Sequence, residues 1–538
     1  MDNRMSLRTV ICFCLALCLF LVCSIRIILI TSEPSYAEVT AQNNTLSIKI
    51  AETRGAILDC NGAVLTMGND VNIAVASPTP QVIMFLSEVL SDSQKYAALE
   101  QLNKGKPAVI KTEKPLYCDG IINLKVNQRE TENKICDHLL GYVDSSNHGV
   151  SGLEKLFDGL LYDSYGIKVR FYTDGANRVL KGIEGEVLLN ESIKETSVMT
   201  TIDKDIQIIA ENSAQKIDMG AVVISEVGTG KIRAMVSRPD FDSTNIAEYL
   251  NSEKSPLINR CLMSYNVGSA FKPCVAAAAL ESGGLSNFTN NCTGNISVEN
   301  NIFNCHNRAG HELLDLKGAI ANSCNTYFYN LSFKLGGEKI YNLATVFGFG
   351  YKKTLCDGLF TSSENLTALD TLNNSRSALA NLSIGQGELL ASPVTMLSLY
   401  EAIANNGIYY PQTIIEGVME QGVLKSSSQK SEPTQAFSKE TSEILKEALI
   451  EVIENGTGTK AKPDFVSAAG KTATAQTGQK DKNGNYIEHS WFCGFFPATN
   501  PKYVVCVVIE NADSSNFSGA DVFKEIADSV SETKGIIG

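Results

Sequence analysis

Apolar residues fall along this chain in three textures, and each predicts a different kind of structure. The first is one long run, Val10 to Ile30, charged only at Arg26. It is about long enough to cross a bilayer as a helix. Arg4 and Arg8 precede it, which places the N-terminus in the cytoplasm. Arg26 lies near the outer end, where its stem can carry the charge to the interface. Ser35-Tyr36-Ala37 resembles a signal-peptide cleavage site, yet it lies well beyond a run longer than a usual signal core. An uncleaved anchor is therefore the favoured reading, with everything after about residue 31 outside the membrane.

The second texture runs from about Asn43 to Glu195. Short strand-like and helical pieces alternate with charged loops, and Asp59-Cys60-Asn61-Gly62 carries the Asn-Gly signal of a tight hairpin turn. No catalytic constellation stands out, so this segment reads as a spacer that raises another domain from the membrane.

The third begins near Ser197. Asp203 stands as an N-cap before Ile206–Ile209. Ala221–Ile224 and Lys231–Val236 flank Gly228-Thr229-Gly230 as a hairpin. Helical material fills the 260s to 340s, with a hairpin between Cys292 and Cys305, and resumes at Leu389–Ile403. Thr441–Glu454 places Ile444, Leu445, Ala448, Leu449, Val452 and Ile453 on one helical face, and Asn455-Gly456 ends it. Three strands close the chain: Val466–Gln476, Ser490–Phe496 and Tyr503–Ile509. Early strands, a central helical block and late strands predict an α+β fold, with helices packed on an antiparallel sheet.

The chain has 538 residues, 44% hydrophobic and 20% charged, which suits two or more globular domains. Its net charge of −13, without basic blocks, disfavours nucleic acid as a partner. Of fifteen cysteines, four lie in the N-terminal apolar run and act as small hydrophobes. No C-x-x-C pair exists, so neither a zinc nor a redox site is expected. Cys292 and Cys305 are open to two readings, a disulfide across the hairpin or two free thiols.

Chemistry concentrates at three short motifs. Ser269 stands three residues before Lys272, follows Gly268 and opens the apolar helix Cys274–Leu280. Residues three apart share a helix face, so the amine can take the hydroxyl proton. Ser213–Lys216, Ser427–Lys430 and Ser531–Lys534 match the same spacing. These three fall on an ordinary helix, in a polar loop and in a polar C-terminal tail. Ser269 alone has a glycine before it and a small-residue helix after it. Pro273 fits if the helix has barely begun, placing Ser269 near an N-terminus whose amides favour a developing anion. Ser323-Cys324-Asn325 is the second motif; its S-x-N pattern recurs at Ser145, Ser243, Ser264 and Ser514. The third, Lys471-Thr472-Ala473-Thr474, reads as a strand of small residues projecting a lysine and two hydroxyls, which suits a carboxylate.

Serine-lysine, serine-asparagine and lysine-threonine, in that order, are the signature set of penicillin-binding proteins and serine β-lactamases. The chain most resembles a class B, monofunctional penicillin-binding protein. Arg54-Gly55-Ala56-Ile57-Leu58-Asp59 is similar to that class's membrane-proximal motif, and Gly152-Leu153-Glu154 to a second N-terminal marker. Thr201-Ile202-Asp203, Gly385-Gln386-Gly387 and Trp491-Phe492-Cys493-Gly494-Phe495 match its catalytic domain. Departures are Ala473 for a usual glycine, Val267 for a usual proline and Cys60 for a usual arginine.

The resemblance implies a cytoplasmic tail over 1–9, an anchor over 10–30, a pedestal or dimerisation-like domain over 31–195 and a transpeptidase domain over 196–538. It implies peptidoglycan stem peptides as substrate and β-lactams as inhibitors acylating Ser269. Lys272 is the implied base, Ser323 the proton relay, and Asn325 the holder of Lys272 and the substrate amide. Lys471 supplies positive potential, while Thr472, Ala473 and Thr474 line the carboxylate subsite. The oxyanion hole is formed by the amides of Ser269 and Thr474. No metal or organic cofactor is implied, and the implied partner is a polytopic membrane glycosyltransferase. A D,D-carboxypeptidase or β-lactamase using water, a membrane-anchored β-lactam sensor and a non-catalytic scaffold are the competing readings. The nine or so residues before Val10 leave a sensor no cytoplasmic output module.

Overall fold

The computed structural model describes residues 2–32, 44–66, 68–129, 135–144, 146–180, 182–188, 196–243, 245–420, 422–426, 432–480, 484, 486–511 and 517–536. Ser35-Tyr36-Ala37 and the Ser427–Lys430 pair lie outside these residues. Two compact units divide the chain. One gathers Met1–Thr53, Gly68–Gln128 and Asp163–Ile193; the other gathers Arg54–Met67, Arg129–Tyr162 and Lys194–Gly538.

The first unit begins with a helix, Asp2–Ser32. Within it Leu7–Leu29 is long and apolar enough to cross a membrane. Further along, the strand Gly68–Ala76 pairs with Ala108–Thr112 and Ile121–Arg129. Helices Pro80–Val89 and Asp92–Asn103 bury Val82, Leu86 and Leu102 against Ala76, Ala108 and Ile110.

The second unit is built on a five-stranded antiparallel sheet. Its order is Ile232–Arg238, Gly220–Glu226, Tyr503–Ile509, Tyr486–Phe496, Ala469–Lys480. The strands Gly220–Glu226 and Tyr503–Ile509 read as continuous apolar runs because both their faces are covered. Val222, Ile224, Val505 and Val507 pack with Phe523 and Ile526 of the C-terminal helix and Ile206 and Ala210 of the helix Lys204–Ser213. Val223, Cys506 and Val508 share the opposite cluster with Phe271, Leu399, Tyr400 and Leu449 of the central helical block. A sheet sandwiched between two helical layers is the α+β arrangement that the pattern predicts.

Local signals explain the ends of these elements. Asp203 caps its helix by accepting from the amides of Asp205 and Ile206. The helix Lys439–Glu454 ends at Asn455. Leu445, Ala448, Leu449, Val452 and Ile453 are buried as expected, but Ile444 faces solvent at the margin of the apolar stripe. A second correction concerns Ser531. It lies on the helix Gly519–Lys534, which is amphipathic, and is buried rather than part of a polar tail.

The same unit contains the segment around Arg54. Arg54 Nε donates to Glu154 Oε2 at 2.6 Å and Nη1 to Asp158 Oδ1 at 2.6 Å, while Nη2 binds the Glu154 carbonyl at 2.7 Å. The two N-terminal sequence markers are thus one buried ion-pair cluster. Asp59 is buried too, and its carboxylate accepts from the amides of Asn61 and Ala63, fixing the turn. Ile57–Leu58 then pairs in parallel with Val198 and Met199.

Candidate active site

The nucleophile motif sits where helix meets sheet. Gly268–Phe271 is a 3-10 turn, and Lys272–Glu281 continues it as an α-helix with proline in its first turn. Every residue from Lys272 to Ala279 is buried, so the helix is apolar all round, as a core helix must be. Three contacts fix the turn. Tyr400 Oη donates to the Ala270 carbonyl at 3.0 Å, Trp491 Nε1 donates to the Asn266 carbonyl at 2.9 Å, and the Gly268 amide donates to the Gly385 carbonyl at 2.8 Å. Gly268 and Gly385 both hold positive φ, +57° and +71°. A Cβ on Gly385 would stand 2.0 Å from the Gly268 carbonyl oxygen, so this approach requires glycine.

Lys272 joins the first two motifs. Its Nζ lies 2.7 Å from the Ser323 carbonyl, 2.7 Å from Asn325 Oδ1 and 3.2 Å from Ser323 Oγ. The amine is fully buried, and loss of hydration lowers its pKa to about 7. A neutral amine has two N–H groups and one lone pair. The carbonyl and the amide oxygen take the two donors, which leaves the lone pair for a hydroxyl. Ser323 itself holds a left-handed backbone, φ +51°, immediately before the helix Asn325–Leu335. Such strain at a non-glycine residue persists only where its surroundings enforce it.

The third motif lies on the edge strand Ala469–Lys480, paired with Tyr486–Phe496 through Lys471↔Cys493, Thr472↔Phe492 and Thr474↔Ser490. Strand alternation buries Lys471, Ala473 and Ala475, while Thr472 is half-buried and Thr474 exposed. Lys471 Nζ donates to the Thr472 carbonyl at 3.0 Å and to Thr457 Oγ1 at 3.4 Å. Burial first, and then the charge of Lys272, push its pKa well down.

All three motifs open on one cleft of about 480 Å³, lined by Ser269, Ser323, Asn325, Thr472, Ala473 and Thr474. Lys272 and Lys471 stand behind these residues, buried. The cleft also includes residues that the motifs do not name, among them His306, Thr457, Thr459, Ser490 and Ser518. The alternation Gly456-Thr457-Gly458-Thr459, just after a helix end, was the signal for two of them. Thr457 Oγ1 and Thr472 Oγ1 are 3.0 Å apart, so this loop extends the hydroxyl lining of the strand.

Comparison with known proteins identifies the family. Residues 220–531 match the penicillin binding protein transpeptidase domain. The chain therefore belongs to the penicillin-binding transpeptidase family. It is 30% identical to Stage V sporulation protein D of Bacillus subtilis over 417 residues, covering 73% of this chain and 61% of that protein. It is 27% identical to the peptidoglycan D,D-transpeptidase FtsI of Buchnera aphidicola, covering 75% of this chain and 69% of that one. The chain thus spans less than two thirds of the first relative's length. Among solved structures, penicillin binding protein 3 of Mycobacterium tuberculosis, complexed with aztreonam, matches in fold with a TM-score of 0.66 at 22% identity, over 92% of this chain and 98% of that one.

Proposed function

We propose that this protein is a membrane-anchored peptidoglycan D,D-transpeptidase working through an acyl-enzyme on Ser269. The observation that carries the proposal is the buried Lys272 amine, held by Ser323 and Asn325 behind a cleft that contains Ser269. Ser269 Oγ attacks the carbonyl of the penultimate D-alanine of a stem peptide, and its proton passes to Lys272 Nζ. The oxyanion rests on the amides of Ser269 and Thr474, each contributing about 3 kcal/mol. Ser323 relays the proton to the departing D-alanine amine, and an ester remains on Ser269. An amine from a neighbouring stem peptide then attacks that ester, forms the crosslink and frees the serine. Asn325 positions the lysine and the substrate amide. Thr472 and Thr474 bind the terminal carboxylate, whose negative charge favours the protonated Lys471 against the burial that lowers its pKa, with Ala473 setting the width beside them.

A β-lactam presents the same carbonyl and acylates Ser269; the aztreonam complex of the Mycobacterium tuberculosis relative supports this arm. The Arg4 and Arg8 flank supports a cytoplasmic N-terminus and an extracytoplasmic catalytic unit. The partner is a polytopic glycosyltransferase that polymerises the glycan. Labelling with fluorescent penicillin, followed by mapping of the modified peptide, tests the site. The label falls on Ser269 and is lost in Ser269→Ala; a label elsewhere would sink the proposal. Rapid β-lactam turnover would favour water as acceptor, and full complementation by Ser269→Ala would favour a scaffold.

A further inference from the structure

Four soft ligands converge behind the Ser323-Cys324-Asn325 loop. Cys292 ends the strand Asn290–Cys292, whose partner strand Glu312–Leu314 brings His311 back beside it. The His311 amide donates to the Cys292 carbonyl at 3.0 Å. Cys305 follows the hairpin Asn295–Val298/Asn301–Asn304, and its amide closes onto the Gly294 carbonyl at 2.9 Å. Cys324 stands at the start of the helix Asn325–Leu335. The three cysteines are buried free thiols and the imidazole is half-buried.

The three sulfurs and a ring nitrogen all lie within 4.8 Å of one another. Cys292 Sγ is 3.5 Å and Cys305 Sγ 3.6 Å from His311 Nδ1, and Cys305 Sγ is 4.0 Å from Cys324 Sγ. Tetrahedral zinc, with bonds of about 2.3 Å to sulfur and about 2.0 Å to nitrogen, requires S···S near 3.8 Å and S···N near 3.5 Å. Those three separations match that set, and the remaining pairs stay within 4.8 Å. A disulfide needs sulfurs about 2.05 Å apart and would leave one thiol and the imidazole without a role. Cysteines packed as small hydrophobes do not call for a ring nitrogen aimed among them.

We propose that Cys292, Cys305, His311 and Cys324 form a structural zinc site that fixes the loop carrying Ser323 and Asn325. Four protein ligands close the coordination shell, so the ion holds no water for chemistry. On binding, the three thiols lose their protons to solvent and the histidine coordinates as neutral imidazole. Cys324 lies between the two residues that hold Lys272, so its bond to the ion sets their positions. Cys305 does the same for His306, which lines the cleft.

The test uses the full chain purified in detergent under reducing conditions. Elemental analysis should find about one zinc per chain. After chelation, zinc(II) alone should restore protection of these thiols against alkylation, and cobalt(II) should give thiolate charge-transfer absorption with a tetrahedral ligand-field spectrum. Cys305→Ser and Cys324→Ser should lose the metal, whereas Ser269→Ala and Cys356→Ser should retain it; the Ser269 variant separates this site from the acylation chemistry. Chelated wild-type chain should acylate with penicillin more slowly and recover on zinc addition. A chain that carries no zinc and takes up neither zinc nor cobalt would overturn the proposal, whatever the variants do. A mapped Cys305–Cys324 disulfide in the penicillin-reactive protein would also overturn it.

Discussion

The two walls of the cleft are supported in different ways. Lys471–Thr474 belong to a strand whose main chain is laddered into a five-stranded sheet with helices on both faces. Ser323–Asn325 form the turn between the helices Leu316–Ala321 and Asn325–Leu335, through one left-handed residue, beside two-stranded ribbons only three and four residues long. Ribbons of that size are marginal in water without further support. The strand wall takes its geometry from backbone hydrogen bonds. The hairpin wall adds side-chain contacts to the amide–carbonyl bonds of its turn, Ser323 to Ile320 and Cys324 to Ala319: the Lys272 amine on one side and the cysteine-histidine cluster on the other. Reactive geometry can therefore be lost from the second wall while the fold survives.

The largest expected effect comes from Lys272→Ala, which removes both the base and the side-chain link to the hairpin wall. The rate of penicillin acylation should fall about a hundred- to ten-thousand-fold. Asn325→Ala should slow acylation about ten- to a hundredfold, the worth of a hydrogen bond to an ionisable group. Thr472→Ala, on the laddered wall, should cost less; equal losses would erase the distinction between the walls. Gly385→Ala forces a Cβ against the Gly268 carbonyl and should destabilise by about 1–3 kcal/mol, read from thermal unfolding.

The effect of pH sharpens the role of the hairpin wall. Because burial lowers Lys272 to about 7, the amine is neutral above that pH and an ammonium below it. Acylation should rise with pH and level off above about 7, falling about tenfold per unit on the acid side. A flat profile from pH 5 to 8 would remove Lys272 from the role of base. The smallest effect belongs to the strand wall. Ala473→Gly should cost about 0.5–1 kcal/mol in stability, with acylation rates shifting less than about fivefold.

How much of this was legible depended on how local each signal is. Ser269 and Lys272 are three residues apart, and Tyr503–Ile509 is a single apolar run, so helix and strand periodicity expose both. The hairpin between Cys292 and Cys305 was readable for the same reason. Ile444 failed because a stripe's margin is set by tertiary packing, and Ser531 because a small polar residue on a buried helix face looks like a tail. The cysteine-histidine cluster left no trace at the spacing level: twelve, five and twelve residues separate its members. Only the folding of two ribbons onto a helix start assembles it. Arg54 and Glu154 were each visible as motifs, but their ion pair spans 100 residues and forms only in the folded chain.

The parallel pairing of Ile57–Leu58 with Val198–Met199 has a consequence in time. The partner strand leaves the ribosome about 140 residues after the first. At about 5–20 residues per second, the earlier strand waits roughly 7 to 28 seconds for its neighbour. Throughout that interval Ile57, fully buried in the finished protein, has no sheet to join. A chain begun at residue 196 would have the reverse deficiency, with one border of the Thr196–Thr200 strand left open to the strands of other molecules.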